Sequence, residues 1–81
     1  MSQHELLCPL PGTFYRRPAP DQPAFANEGD TIAAGAVIGL VEVMKQFSEV
    51  QSDVAGTVLK FLADNETPVE PGQPLALIET A

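Results

Sequence analysis

The feature that most limits how this chain can fold is an internal repeat. Residues 29–42 and 66–79 share one pattern of turn and apolar positions. Gly35 stands over Gly72, Ile38 over Leu75, Leu40 and Val41 over Leu77 and Ile78, and Glu42 over Glu79, all at an offset of 37 residues. A second match, Pro11-Gly12-Thr13 with Ala55-Gly56-Thr57, lies at an offset of 44. The first half therefore holds seven residues that the second lacks. Their natural place is the stretch 17–25, which carries Pro18, Pro20 and Pro23. Proline has no N–H for a sheet ladder, so this stretch predicts a stiff, ordered excursion anchored at its end by Phe25.

Two copies of one meander, each too small to bury its own apolar face, should pack together about a pseudo-twofold axis. Six glycines and eight prolines are scattered along the chain, and no dozen residues keep helical apolar spacing without one of them. The expected fold is all-β: two antiparallel sheets forming a flattened barrel or sandwich, with a thumb-like insertion at residues 17–25. Strands are expected at residues 6–8 (on a sheet edge), 13–16, 31–33, 37–42, 47–51, 57–63 (the longest), 67–70 and 75–79. The 81 residues make one domain, with Met1-Ser2-Gln3 as a natural start and residues 1–5 as a flexible tail. Since the repeat sets Val43-Met44-Lys45 against Thr80-Ala81, it puts the bend at Lys45 at one end of the molecule and both termini at the other.

A formal net charge of −7 argues against a nucleic-acid surface. The longest uncharged apolar stretch, residues 32–41, is too short to cross a bilayer, so no membrane partner is expected. Cys8 is the single cysteine and has no internal disulfide partner, which fits a reducing, cytoplasmic setting. Nor does Cys8 have a nearby histidine base, and it reads as a small strand residue. His4 has no second ligand at metal spacing and reads as part of the tail. Arg16 and Arg17 read as a surface pair beside the thumb. No nucleophile–base set, paired acids or phosphate-cradling loop can be assembled, so independent catalysis is not expected.

The chemistry concentrates on the bend. Lys45 is one of only four Lys and Arg residues, set between two β-prone arms with Met44 and Phe47 beside it. Hairpin tips ordinarily take Asn, Gly or Asp, and a solvated lysine there would need no apolar neighbours. Exposed apolar residues beside an amine make sense where another protein must recognise the spot. Glu42 either orients the tip or is a solvated strand-end acid.

Glu42-Val43-Met44-Lys45-Gln46 resembles the signature of the biotin carboxyl carrier family, Glu-Ala-Met-Lys-Met on a hairpin. The resemblance covers residues 7–79. It extends to Pro11-Gly12-Thr13-Phe14-Tyr15-Arg16 and to the thumb segment Pro18-Ala19-Pro20-Asp21, which is similar to the bacterial acetyl-CoA carboxylase carrier in particular. Val43 replaces the family's alanine and Gln46 its second methionine. The resemblance implies a biotinyl/lipoyl-type barrel-sandwich fold and biotin joined by an amide to Lys45. It also implies that Glu42, Val43, Met44 and Gln46 are read by a biotin protein ligase. The implied role is a non-catalytic carrier that takes carboxybiotin from a biotin carboxylase subunit to a carboxyltransferase subunit. The acceptor stays open between acetyl-CoA, urea and another small molecule. Two alternatives remain beside it: a lipoyl-type carrier, against which Met44 and the thumb argue, and an unmodified biotinyl-like binding or regulatory domain.

Overall fold

The computed structural model describes residues 2–80, and among them there are only strands, turns and loops. The eight strands are β1 (Ser2–Leu7), β2 (Gly12–Tyr15), β3 (Thr31–Ile32), β4 (Val37–Val43), β5 (Gln46–Gln51), β6 (Gly56–Phe61), β7 (Thr67–Val69) and β8 (Pro74–Thr80). They form two four-stranded sheets, ordered β1-β8-β6-β3 and β5-β4-β2-β7, with every pairing antiparallel. The two orders are one order, because β5, β4, β2 and β7 correspond to β1, β8, β6 and β3 under the same two sequence offsets.

The core is paired in the same way. Phe14 and Val58, Ile38 and Leu75, Val41 and Ile78, Leu6 and Val50, and Ala26 and Ala63 are all buried, each pair in equivalent positions of the two halves. Period-2 alternation turns one side of each strand inward, and neither sheet could cover its inner face without the other. Ser52 and Cys8 continue the symmetry. Each is buried, and each donates its side-chain proton to the carbonyl two residues on, Ser52 Oγ to Val54 and Cys8 Sγ to Leu10. The flanking backbone repeats as well: Gly35 N donates to Ser52 O at 2.7 Å, and Gly72 N to Cys8 O at 2.8 Å.

Two glycines mark where the backbones cross most closely. A Cβ on Gly12 would run into the carbonyl oxygen of Glu42, and one on Gly56 into that of Glu79. These are again equivalent sites, and at each a strand lies too near its neighbour for any side chain.

The structure corrects the sequence reading at several places. Residues 1–5 were expected as a flexible tail, but the strand begins at Ser2 and pairs with β8 from Ser2–Thr80 through Leu6–Ala76. Of its six residues only Leu6 is buried, so alternation gave no signal there; pairing satisfies the free edge of β8 instead. Met1 lies outside the described residues. His4, read as part of that tail, bonds Asp53 Oδ1 at 2.9 Å and ties β1 to the turn after β5. The strand expected at residues 57–63 ends at Phe61, because the amides of Leu62 and Ala63 both turn onto the carbonyl of Leu75. The longest strands are β4 and β8, with seven residues each.

The proline-bearing excursion leaves after β2. It contains a turn closed by Gln22 N onto Ala19 O at 3.1 Å, and Phe25 N bonds Arg16 O at 2.9 Å across its base. No helix among the described residues is long and apolar enough to cross a membrane.

Three outcomes follow from this geometry. Gly56→Ala should lower the unfolding free energy by about 1–3 kcal/mol, read by chemical denaturation, since the clash is with backbone that cannot turn aside. Removing residues 18–24 should leave a cooperatively unfolding domain by circular dichroism, because the base of the excursion is already bridged. Glu66 adopts a φ of 63° where the equivalent Gly29 has 94°. Glu66→Gly should therefore raise stability by about 1 kcal/mol in the same assay, as it removes a left-handed side chain.

Candidate functional site at the β4–β5 turn

The β4–β5 hairpin holds its register through Leu40–Glu49, Val41–Ser48, Glu42–Phe47 and Val43–Gln46, leaving a two-residue turn of Met44 and Lys45. Both turn residues are left-handed, with φ of 50° and 67°. That is the type I′ turn whose twist suits a two-residue hairpin. Asn-Gly is its usual occupant, and each ordinary L-residue forced into it costs about 1–2 kcal/mol. The strands on either side hold the turn in this form. Met44 is 91% exposed. Lys45 is exposed, and among the described residues its amine takes part in no ion pair or side-chain hydrogen bond. The first and last described residues pair at Ser2–Thr80, and by Leu10 and Pro11 the first segment has reached the tip.

The two flanks of the turn differ. On the inward side, Leu10, Pro11, Val43, Met44, Gln46 and Ser48 line an apolar depression of about 410 Å³. On the outward side, the thumb stands over the face of β2, β4 and β5. It encloses a cleft of about 370 Å³ between Arg17, Pro18, Ala19 and Pro20 on one wall and Tyr15, Glu42, Phe47, Asn65 and Glu66 on the other. Lys45 lines neither hollow.

Within the cleft, Tyr15 OH donates to Glu42 Oε1 at 2.9 Å. The Tyr15 and Phe47 rings meet tilted, with centroids 5.9 Å apart. Such an arrangement sets ring edge towards ring face and stiffens the wall. The bond to Glu42 raises the Tyr15 phenol above its ordinary value, with desolvation and the charges of Glu42 and Glu66 adding in the same direction. Behind the thumb, the Arg16 guanidinium lies 4.0 Å from the centre of the Phe61 ring, and Arg16 N donates to Asn65 Oδ1 at 2.7 Å. Arg16 is therefore half-buried packing and not part of a plain surface pair, whereas Arg17 is exposed and faces the cleft.

The structure thus gathers Glu42, Val43, Met44, Lys45 and Gln46 on one turn and sets Pro18, Ala19 and Pro20 beside it. Asp21 is exposed and does not line the cleft. Glu42 is not simply a solvated strand-end acid, since it is half-buried and accepts the tyrosine proton. Sequence reasoning gave no site role to Tyr15, Asn65, Glu66 or the Leu10-Pro11 segment, although Pro11 and Tyr15 stand in the quoted motif. The alternation of Phe14 inward with Tyr15 outward held a clue to the first. The alignment of Glu66 with Gly29 held one to the third.

A family profile described as a biotin-requiring enzyme matches residues 4–78. The biotin carboxyl carrier protein of acetyl-CoA carboxylase from Nostoc sp. is 43% identical over 75 residues, which are 93% of this chain and 41% of that protein. The protein of the same description from Haemophilus influenzae is 37% identical over 79 residues, 98% of this chain and 51% of that protein. Among solved structures, the Kluyveromyces lactis urea carboxylase superposes with a TM-score of 0.78 and 29% identity over 98% of this chain and 6% of its own. A single-chain, multi-domain long-chain acyl-CoA carboxylase superposes with a TM-score of 0.78 at 25% identity, over 98% of this chain and 7% of its own. The chain spans about half or less of the carrier proteins it matches and a small part of the carboxylases. With the profile covering nearly all of its strands, the chain belongs to the biotin/lipoyl family of biotin-requiring enzymes.

Proposed function

We propose that this chain is the biotin carrier of a biotin-dependent carboxylase, with biotin joined to the amine of Lys45. The observation that carries this reading is the two-residue left-handed turn that holds an exposed lysine at the end of a register-locked hairpin. Covalent attachment needs a primary amine that a second protein can reach from several sides. Lys45 fits: its neighbours leave the amine uncovered, and the strain of the turn is borne by the backbone on either side. The apolar Met44 and Val43, with Gln46 and Glu42, supply the surface by which a biotin protein ligase recognises the tip. The new bond is an amide between the lysine nitrogen and the acyl carbon of an activated biotin; the activating group departs and the amine gives up a proton.

Bound biotin supplies the nitrogen that carries a carboxyl group, and the protein supplies reach and placement. A tether turns two encounters between separate molecules into local ones, with effective concentrations on the order of millimolar for a short flexible link. The partners of this reading are a biotin carboxylase, which loads the arm, and a carboxyltransferase, which unloads it. The chain itself performs neither step. The named relatives favour acetyl-CoA as acceptor. A cytoplasmic setting, with ATP and bicarbonate at hand, belongs to the same reading.

Intact mass after co-expression with a biotin protein ligase and biotin should show one biotinyl group per chain. Lys45→Ala should abolish it and Lys60→Ala should retain it. A lipoyl adduct, no adduct, or an adduct that survives Lys45→Ala would overturn the assignment.

A further inference from the structure

Gly29 and Glu66 occupy the same turn in the two halves. The amide of Gly29 donates to Val58 O at 2.7 Å and that of Glu66 to Phe14 O at 2.6 Å, and Val58 and Phe14 are themselves an equivalent pair. One half fills this left-handed position with the residue suited to it. The other carries a glutamate there, and that residue lines the thumb cleft. Glu42 reaches the same cleft, with Oε1 engaged by Tyr15. Among the described residues neither carboxylate has a cation within 4.0 Å, although Arg17 lines the same cleft. Phe47, 57% exposed, and Tyr15 give the cleft an aromatic wall, and prolines close its other side. The Tyr15 phenol registers the field of both carboxylates.

We propose that this cleft receives one cationic side chain, an arginine guanidinium, from the ligase that grips the Lys45 hairpin, and that Glu66 is a specificity-determining residue of that encounter. This rests on the carrier reading of Lys45. A guanidinium is flat, weakly hydrated and forked, so it stacks on an aromatic wall while pairing with carboxylates; an ammonium matches only the charge. The Glu42–Phe47 pair lies one step down the hairpin from Val43–Gln46, so a protein that encloses the turn also covers the cleft. A chain of net charge −7 draws a basic surface towards it, and the cleft gives that attraction a fixed place and orientation.

The test is the steady-state rate of biotinylation by a biotin protein ligase with biotin and ATP, with the whole chain as varied substrate, at low and moderate salt. Glu66→Gln and Glu66→Gly should each raise the KM for the carrier by about threefold to tenfold with kcat little changed. Both should also weaken its salt dependence. Glu66→Gly should at the same time melt no lower than the parent, which separates a docking role from a structural one. Glu5→Gln removes the same charge from β1 and should leave KM unchanged. Unaltered KM in both Glu66 variants, or an equal rise in Glu5→Gln, would overturn the proposal while leaving the carrier reading in place. A parent chain that accepts no biotin would remove the carrier reading and this proposal together.

Discussion

Everything the tip does depends on the cross-strand register of β4 on β5. Two side-chain-bearing residues in left-handed conformation would relax out of that shape in an isolated loop. Here the ladder ends at Val43–Gln46 and leaves only two residues to reverse the chain, so the geometry of the strands dictates the turn. The ladder in turn relies on Val41 and Val50, which face inward into a core that the opposite sheet completes. Strain at the exposed end and burial between the sheets are therefore two parts of one arrangement: the core holds the register, and the register holds the lysine out.

The duplicated core makes the exceptions on one face informative. Core residues match across the halves almost position for position, as do the close backbone crossings at Gly12 and Gly56. Several of the departures gather on one face. Tyr15 stands where the other half has Leu59, Phe47 where it has Gln3, Glu66 where it has Gly29, and the thumb where it has nothing. All of these line or build the cleft beside the turn. The broken positions on this face thus lie beside the turn that carries Lys45.

Much of this was legible in the sequence, because the repeat implies two sheets related by a pseudo-twofold axis and the place of the extra residues. The hairpin could be read from its apolar arms, and the thumb from Pro18, Pro20 and Pro23. The first strand was not legible, because Ser2, Gln3, His4 and Glu5 show no inward-facing alternation and lie along a sheet edge. The cleft was hidden for a different reason. Tyr15, Glu42 and Glu66 come from two strands and a distant turn, and only the register brings them together. Arg16 illustrates the same limit, since a charged residue beside a basic neighbour gives no hint that its guanidinium will lie over Phe61.

The pairing of Ser2 with Thr80 occupies the position that Gln46 and Val43 hold in the other half. The two four-stranded sheets thus have equivalent corners, one at the amine-bearing turn and one at the Ser2–Thr80 pair. A circular permutant joined there by a short link and opened at another loop would keep every ladder. By the same token, the unit can be grafted into a longer polypeptide as a pendant, with entry and exit side by side at the pole away from the amine and the opposite pole free to swing.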